Sequence, residues 1–396
     1  MSQATTIRGE APLTTAWLVL MGISLCHMIN DVMQSMLAAI YPLLREEFSL
    51  SYWQIGLMTF AFQVTASLLQ PVVGAVTDKR PMPKSLAVGM GSTFVGVLLL
   101  ALAHEYWVLL AGAMLIGVGS SVFHPESSRV ARVASGGRFG TAQSLFQLGG
   151  NFGTALGPLL AAFIVVPLGR PSIAIFSVAA LMGSAMLWRI GAWAEGRRKA
   201  TAARSVPALD LSRGRVMLAI VVLALLTFTK NIYTASISSY YTFFLIDKFQ
   251  LSTQQAQLML FLFLGGMAGG VMLGGLVGDR VGPLKVIWFS ILGILPFTLA
   301  LPYVGLEATG VLTVLIGLIL ASAFPAIVVF AQELVPGRTG LIAGIFFGFA
   351  FGMGGIAAAV LGVVADAKGI AFVYKICSFL PLMGLLTVFL PRMKRA

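Results

Sequence analysis

Charge is scarce in this sequence. Only 10% of its 396 residues are Asp, Glu, Lys or Arg, while 58% are hydrophobic; a soluble domain carries about 25% charged residues to keep its surface in water. No stretch of about 100 residues has a soluble composition, which excludes a string of soluble domains and places the chain in a bilayer. Cysteine is nearly absent. Cys26 and Cys377 each lie inside an apolar run, so neither a disulfide framework nor a thiolate metal site is supported. Glycine is plentiful, yet no glycine cluster ends in the Lys-Ser/Thr of a phosphate-binding loop, and ATP is not the expected drive. One intramembrane acid, one amine and three histidines give no recognisable catalytic set, so an enzyme is the least supported class, and neither a metal nor a cofactor is expected.

Long apolar runs are what the sequence has instead. A helix crossing about 30 Å of hydrocarbon needs roughly 20 residues, and a helical span satisfies its own backbone in lipid. Runs of that order occupy residues 14–44, 53–77, 86–103, 107–128, 140–166, 172–192, 216–246, 255–277, 286–303, 309–333, 340–365 and 370–390. The fold class is therefore all-α and integral to the membrane, with twelve spans and both termini on one side. The first run follows Arg8 and Glu10, has a polar centre and shows no small-residue cleavage site, so it reads as a spanning helix and not a signal peptide. Trp17, Trp53 and Trp107 near span ends suit interfacial anchoring.

The least apolar connection, residues 193–215, separates a six-helix half at 1–192 from another at 216–396. Gly74, Asp78, Arg80 and Lys84 after helix 2 recur about 201 residues later as Gly275, Asp279, Arg280 and Lys285 after helix 8. Six plus six helices sharing a loop signature is transporter architecture. With both termini inside, 20 of the 26 Lys and Arg fall on the cytoplasmic side, five (Arg45, Arg170, Lys248, Lys368, Lys375) fall outside, and Lys230 lies within a span. That bias fixes cytoplasmic termini. It also accounts for most of the +12 net charge, so no nucleic-acid partner is expected.

The loop Gly74-Ala-Val-Thr-Asp78-Lys79-Arg80 with Pro83 and Lys84 resembles the signature between helices 2 and 3 of the major facilitator superfamily, and Gly275 to Lys285 is its partial copy. Gly153-Thr154-Ala155-Leu156-Gly157-Pro158 looks like the Gly-x-x-x-Gly-Pro antiporter motif of helix 5, although small residues spaced by four also let any two membrane helices pack closely. More specific are Ser24 to Asp31 continuing through Gln34-Ser35 to Tyr41-Pro42-Leu43-Leu44, Gly119 to Arg132, Ala235 to Phe243 and Phe347 to Gly355. Together these resemble the fosmidomycin-resistance family of that superfamily, from helix 1 to Pro391. The resemblance implies a major facilitator fold, a bacterial inner-membrane location and proton-driven export of a small anionic antibiotic such as fosmidomycin. A functional monomer is expected. One departure is that helix 4 has Ala113 before Gly117, where drug exporters of the superfamily usually bear Arg four residues before a Gly; coupling through that Arg is not available here.

Ionisable groups inside a membrane are costly and mark function by default. Two lie near mid-span, Asp31 in helix 1 and Lys230 in helix 7, within the dipeptides Asn30-Asp31 and Lys230-Asn231 that sit one repeat apart. The resemblance puts both at the central cavity. His27, Asp31, Gln34 and Ser35 form one helical stripe. Asp31 is either the coupling acid or a structural partner of His27 or Lys230. Lys230 is the mid-span cation an anionic substrate would need, helped by Tyr233, Ser236 and Tyr240, or else a permanent partner of Asp31. His27 is either part of the proton site or a helix-packing donor. Gln143, Gln147 and Asn151 form a polar ladder on helix 5 that either lines the cavity, as a substrate contact, or joins two helices.

His124 and Glu126 lie seventeen to nineteen residues beyond Trp107. At 1.5 Å per residue that depth is close to the cytoplasmic face, which argues against a second proton site there, although His124 remains a candidate relay. Glu126, Arg129 and Arg132 are echoed by Glu333 and Arg338. With Asp78, Arg80, Asp279 and Arg280 they are expected to form ion pairs that close the cytoplasmic side and break on opening. The function expected is a proton-coupled exporter working by alternating access. The alternatives are a proton-coupled importer of an organic anion, and a solute-sensing receptor, which would call for a signalling loop longer than about 23 residues.

Overall fold

The computed structural model describes residues 14–201, 211–251 and 253–392. Among these the secondary structure is helical and contains no strand. The twelve spans are α1 (Trp17–Ala39), α2 (Tyr52–Gln63, a π turn Val64–Leu68, then Leu69–Lys79), α3 (Ser85–Leu102), α4 (Tyr106–Ala134), α5 (Phe139–Leu160, continued by the π turn Ala161–Val165 and Val166–Leu168), α6 (Ala174–Thr201), α7 (Arg213–Phe249), α8 (Thr253–Val281), α9 (Pro283–Leu292 and Leu295–Ala300), α10 (Leu306–Ala321 and Ala323–Leu334), α11 (Thr339–Lys368) and α12 (Ile370–Cys377 with a 3-10 stretch Leu380–Phe389). Ten are long and apolar enough to cross a membrane outright. α1, diluted by His27, Asn30, Asp31 and Gln34, and α11 complete the set.

Two boundaries differ from the sequence reading. The first run is not one helix, because the chain breaks at Ile40 before a short helix Tyr41–Glu47; Pro42 has no N–H to carry the α1 ladder onward. The connection between halves is shorter than 193–215, since α6 runs on to Thr201 and α7 starts at Arg213, capped by the Ser212 hydroxyl. Arg204 lies outside the described residues.

The internal repeat is visible in the backbone. Left-handed residues recur one repeat apart at Ser49 and Gln250, at Gly137 and Gly337, and at Gly169 and Gly369. Equivalent connections thus turn the same way in both halves, with glycine at four of the six positions because a Cβ disfavours this conformation.

Three apolar clusters show where the halves meet. One joins Met33 to Leu50 with Leu109, Ile116, Val165 and Phe176, all from α1 to α6. Another joins Tyr233, Tyr241, Phe244, Leu320, Leu361 and Tyr374, all from α7 to α12. The third draws on both: Leu20, Ile23, Val130, Phe146, Leu223, Ile327, Leu334, Ile342 and Phe347. Its members lie near the start of odd helices and the end of even ones, the face where α1 begins and α12 ends, called the terminal face below. The bundle therefore has one shared core at the terminal face and two separate cores towards the opposite face.

Candidate functional site

Two seams close the terminal face. Along α2 and α11 the backbones nearly touch: a Cβ on Gly74 would lie 2.2 Å from the Gly340 carbonyl, one on Gly344 2.3 Å from that of Gln70, and one on Gly348 2.6 Å from that of Ser67. Farther along the same ridge, Gly352 has nothing within 4 Å of such an atom. The contact ends near mid-membrane. Between α5 and α8, Gly140 and Gly275 pack against each other in the same manner.

Each seam is locked by the loop aspartate that the repeat singled out. Asp78 accepts the backbone N–H of Gly340 at 2.9 Å and of Leu341 at 2.7 Å. Asp279 accepts those of Gly140 and Thr141, both at 2.8 Å, and the Thr141 hydroxyl at 2.5 Å. The first N–H groups of a helix have no intrahelical acceptor and carry the positive end of its dipole. Asp78 thus caps α11 from the end of α2, and Asp279 caps α5 from the end of α8. Arg129 binds Asp78 at 2.7 Å, Glu126 at 2.8 Å and the Thr77 carbonyl at 2.7 Å.

The other expected gate residues divide. Arg132 donates to Gln332 at 3.3 Å and stacks 4.0 Å over Phe139, with Glu333 in electrostatic range. Gln332 continues through Ser128 to Gln143 at 3.0 and 2.9 Å, so that rung of the α5 ladder joins helices. Arg80, Arg280 and Arg338 are exposed. Among the described residues, Arg80 and Arg338 make no ion pair within 4.0 Å, which corrects their expected part in the closure. Two of the expected acceptors, Asp78 and Asp279, are engaged by backbone N–H groups, which a sequence does not display.

Deeper in the bundle, Asp31 gathers a polar group. Its Oδ1 accepts from Asn30 at 3.0 Å and Gln34 at 2.9 Å, and its Oδ2 lies 3.4 Å from His27 Nε2. His124 Nε2 lies 3.2 Å from His27 Nε2 and 4.0 Å from Asp31. The depth argument against His124 is therefore corrected. Counted from the terminal face, His27 is ten residues inside α1 and His124 ten residues inside α4, about 15 Å each. Both histidines are fully buried. The donor atoms of two imidazoles and a carboxylate lie within 4.8 Å of one another and suit a proton or a transition metal. Gly150 leaves the space for it, since a Cβ there would lie 2.5 Å from the His27 ring.

Ser35 bonds the Asp31 carbonyl of its own helix and the Gly153 carbonyl of α5 at 2.8 and 3.3 Å. That contact belongs to a tight seam between α1 and α5, where Gly149, Gly153 and Gly157 face α1 at under 2.4 Å from a would-be Cβ. The helix 5 glycine motif is, in this geometry, a packing surface.

Lys230 is buried, with its ammonium 5.2 Å from the Phe324 ring centre. No carboxylate lies within 4.0 Å of it among the described residues, so the expected alternative of a permanent pair with Asp31 is not formed. Phe324 meets Phe347 at 5.1 Å, and Phe347 meets His124 at 5.1 Å; two aromatic rings stand between the cation and the histidines. Asn231 Nδ2 and Gln147 Oε1 are buried without a hydrogen-bond partner, and Asn151 is half-buried on α5. Tyr233 and Ser236 depart from the expected substrate face. Ser236 donates to the Tyr233 carbonyl at 2.7 Å, and Tyr233 packs in the core of α7 to α12. Tyr240 is half-buried, its hydroxyl near Gly362 of α11.

Asn30, Thr77, Thr141, Gln332, Phe324 and Phe347 have no role in the sequence reading. Asn30 carried a signal, as a second polar residue beside Asp31. The rings carried none, being two of 27 phenylalanines.

Twelve membrane helices, sealed at one face by capped seams and holding buried ionisable groups at mid-depth, define a membrane transporter and not an enzyme. The sequence profile of the Major Facilitator Superfamily matches residues 23–359, and the chain belongs to that superfamily. It is 58% identical to the fosmidomycin resistance protein of Escherichia coli K12 over 384 residues, covering 95% of this chain and 93% of that protein. It is 40% identical to the uncharacterized MFS-type transporter YfnC of Bacillus subtilis, covering 96% and 95%. Among solved structures it superimposes on the human organic anion transporter MFSD10 with a TM-score of 0.75 at 18% identity, covering 96% and 100%. It also superimposes on the E. coli fucose:proton symporter FucP with a TM-score of 0.73 at 16% identity, covering 95% and 98%. At these identities the two structures speak to the fold alone.

Proposed function

We propose that the protein is a proton-coupled antiporter that exports fosmidomycin and related small organic anions across the bacterial inner membrane, conferring resistance by alternating access. The observation that carries this is Lys230, a buried cation that has no carboxylate within 4.0 Å among the described residues, one aromatic partition away from a buried carboxylate–histidine group. A buried charge without a counter-ion is costly, and a phosphonate entering the cavity would supply one. The similarity to the fosmidomycin resistance protein supports the substrate.

In this reading the terminal face is cytoplasmic, in line with the Lys and Arg bias; the halves share a core there and have separate cores towards the periplasm. A proton arriving from outside is taken up by the Asp31, His27 and His124 group. The halves 1–192 and 216–396 then rock about the mid-membrane site, the Asp78 and Asp279 caps release, and the anion at Lys230 exchanges. The proton gradient is the drive, no cofactor takes part, and one chain suffices.

Purified protein in proteoliposomes tests this. An imposed pH gradient should drive fosmidomycin against its own gradient, in the direction opposite to proton flow, and a protonophore should abolish it. Movement of drug and protons in the same direction would establish the importer reading instead.

A further inference from the structure

We propose that His27, His124 and Asp31 form a binding site for a divalent transition metal of the zinc class, and that the bound ion arrests transport. The metal site stands on geometry; the arrest rests on the proton-coupled reading above, because the ion takes the atoms that would take the proton. Zinc bonds to imidazole nitrogen and carboxylate oxygen at about 2.0–2.1 Å in a tetrahedron, which sets neighbouring donors about 3.3 Å apart. The two Nε2 atoms lie 3.2 Å apart. Asp31 Oδ2 lies 3.4 Å from that of His27, and Oδ1 lies 4.0 Å from that of His124. Donors from α1 and α4 thus stand close to the corners such an ion requires, and the one long edge shortens with a small turn of the carboxylate, whose torsion is broad. The fourth corner falls to water or an anion, as in zinc sites with three protein ligands. Magnesium or calcium would find one carboxylate here where they need several oxygens.

The surroundings are those of metal ligands. A histidine that binds a metal through one nitrogen donates the other N–H to a backbone carbonyl or a carboxylate, and a ligating carboxylate is itself hydrogen-bonded. His27 Nδ1 lies 2.7 Å from the Phe146 carbonyl oxygen and His124 Nδ1 3.0 Å from that of Ser120, while Asp31 accepts from Asn30 and Gln34. No particular tautomer is needed beforehand. An ion at Nε2 leaves the ring proton at Nδ1, where the Ser120 carbonyl accepts it and the Ser120 hydroxyl, 3.3 Å away, turns to accept as well. The ion displaces whatever hydrogen stands between the two Nε2 atoms, so neither ring has to be without a partner. α5 leaves the room: a Cβ on Gly150 would lie 2.6 Å from His27 Nε2 and 2.9 Å from Asp31 Oδ2, crowding the atoms the ion needs. Asp31 keeps 8% of its side chain accessible, and Gln34 and Ser35, on the next turn away from the sealed face, are half-buried, which marks the side by which an ion enters. The metal is a ligand that blocks and not a cofactor of transport.

The chain has three histidines, and replacing the exposed His104 by His104→Gln leaves His27 and His124 as the only imidazoles. That protein, purified without a histidine tag and held in lipid nanodiscs, is given zinc chloride. It should retain one zinc per chain through gel filtration, and X-ray absorption at the zinc edge should show two imidazoles and oxygen, without sulfur, at about 2.0–2.1 Å. Adding His124→Gln or Asp31→Asn should weaken zinc binding by about ten-fold or more, read by competition with a fluorescent chelator in protein that melts as its parent does. No zinc retained, or a zinc shell with fewer than two imidazoles, would overturn the inference, and the parent protein alone decides this should either variant fail to fold. In proteoliposomes, zinc should arrest fosmidomycin accumulation driven by a pH gradient. Zinc held by two imidazoles with accumulation unchanged would overturn the arrest, and with it the placing of the coupled proton at this group, whereas the metal site would stand. No accumulation by the native protein, with the zinc shell as expected, would fail the transport reading alone.

Discussion

Converting Asp279 to Asn should open the terminal face, and the size of the effect follows from its three short hydrogen bonds. Asp279 accepts two backbone N–H groups at 2.8 Å and the Thr141 hydroxyl at 2.5 Å. The amide nitrogen of the replacement cannot accept, so one or two of these bonds are lost, at about 1.5–3 kcal/mol each for a charged acceptor. The lost charge at the start of α5 adds about 0.3–1 kcal/mol. Taking the lower end for a half-buried side chain, the closed state loses about 2–4 kcal/mol, or a factor of about 30 to 1,000 in the closed-to-open ratio. The open state, in which this contact is broken, loses nothing. A reporter is available at Ser144, which packs against Gly275 in the same seam, because the native Cys26 and Cys377 are both buried. In a Ser144→Cys background, labelling by an impermeant maleimide from the terminal face should rise by about ten-fold or more with Asp279→Asn. Asp78→Asn should produce the same rise from the opposite seam. Unchanged labelling in both variants would refute the claim that these caps hold the face shut.

Gly74→Ala should open the same face by steric means, its methyl falling 2.2 Å from the Gly340 carbonyl, and cysteine labelling would show it. Gly153→Ala, whose methyl would fall 2.3 Å from the Met28 carbonyl inside one half, should instead lower the Tm in detergent without changing which face is open. Lys230→Ala should weaken fosmidomycin binding by about ten-fold or more, since a charge-assisted contact contributes about 1.5–3 kcal/mol; an unchanged Kd by calorimetry would remove Lys230 from the substrate site. Asp31→Asn removes the buried carboxylate and should abolish accumulation driven by a pH gradient; drug-induced proton release persisting in that variant would show that Asp31 has no part in coupling.

The twelve spans were legible because bilayer thickness sets a length that apolar runs either meet or miss. The gate aspartates were legible through repetition, as Asp78 and Asp279 stand 201 residues apart in matching loops. Their partners were not. The loops look like ion-pair signatures, yet Asp279 meets backbone and hydroxyl donors and Asp78 meets backbone as well as Arg129, and a backbone N–H has no letter in a sequence. His124 was misplaced for a related reason. Depth counted from Trp107 assumed that α4 ends soon after residue 128, but the helix runs to Ala134. Its 29 residues exceed the bilayer core, and His124 sits level with His27. Spacings of three and six group Tyr233 and Ser236 with Lys230, but at 3.6 residues per turn these positions stand about 60° and 120° around the helix from it, enough to face the core instead.

The same two helices touch both the capped seam and the Asp31, His27 and His124 group, which gives the proposed cycle a mechanical route. α4 carries His124 and, two and five residues later, Glu126 and Arg129, the second of which binds Asp78. α11 begins at the N–H groups that Asp78 caps and, seven residues on, presents Phe347 to His124. In that cycle α11 leaves α2 when the caps release, parting the backbones that now touch along the glycine seam. Phe347 then moves relative to His124, and Phe324, against which it packs, moves relative to Lys230. In the proposed cycle, protonation of the Asp31, His27 and His124 group and occupancy of Lys230 are thereby tied to one displacement. The ring contacts transmit that displacement without themselves titrating.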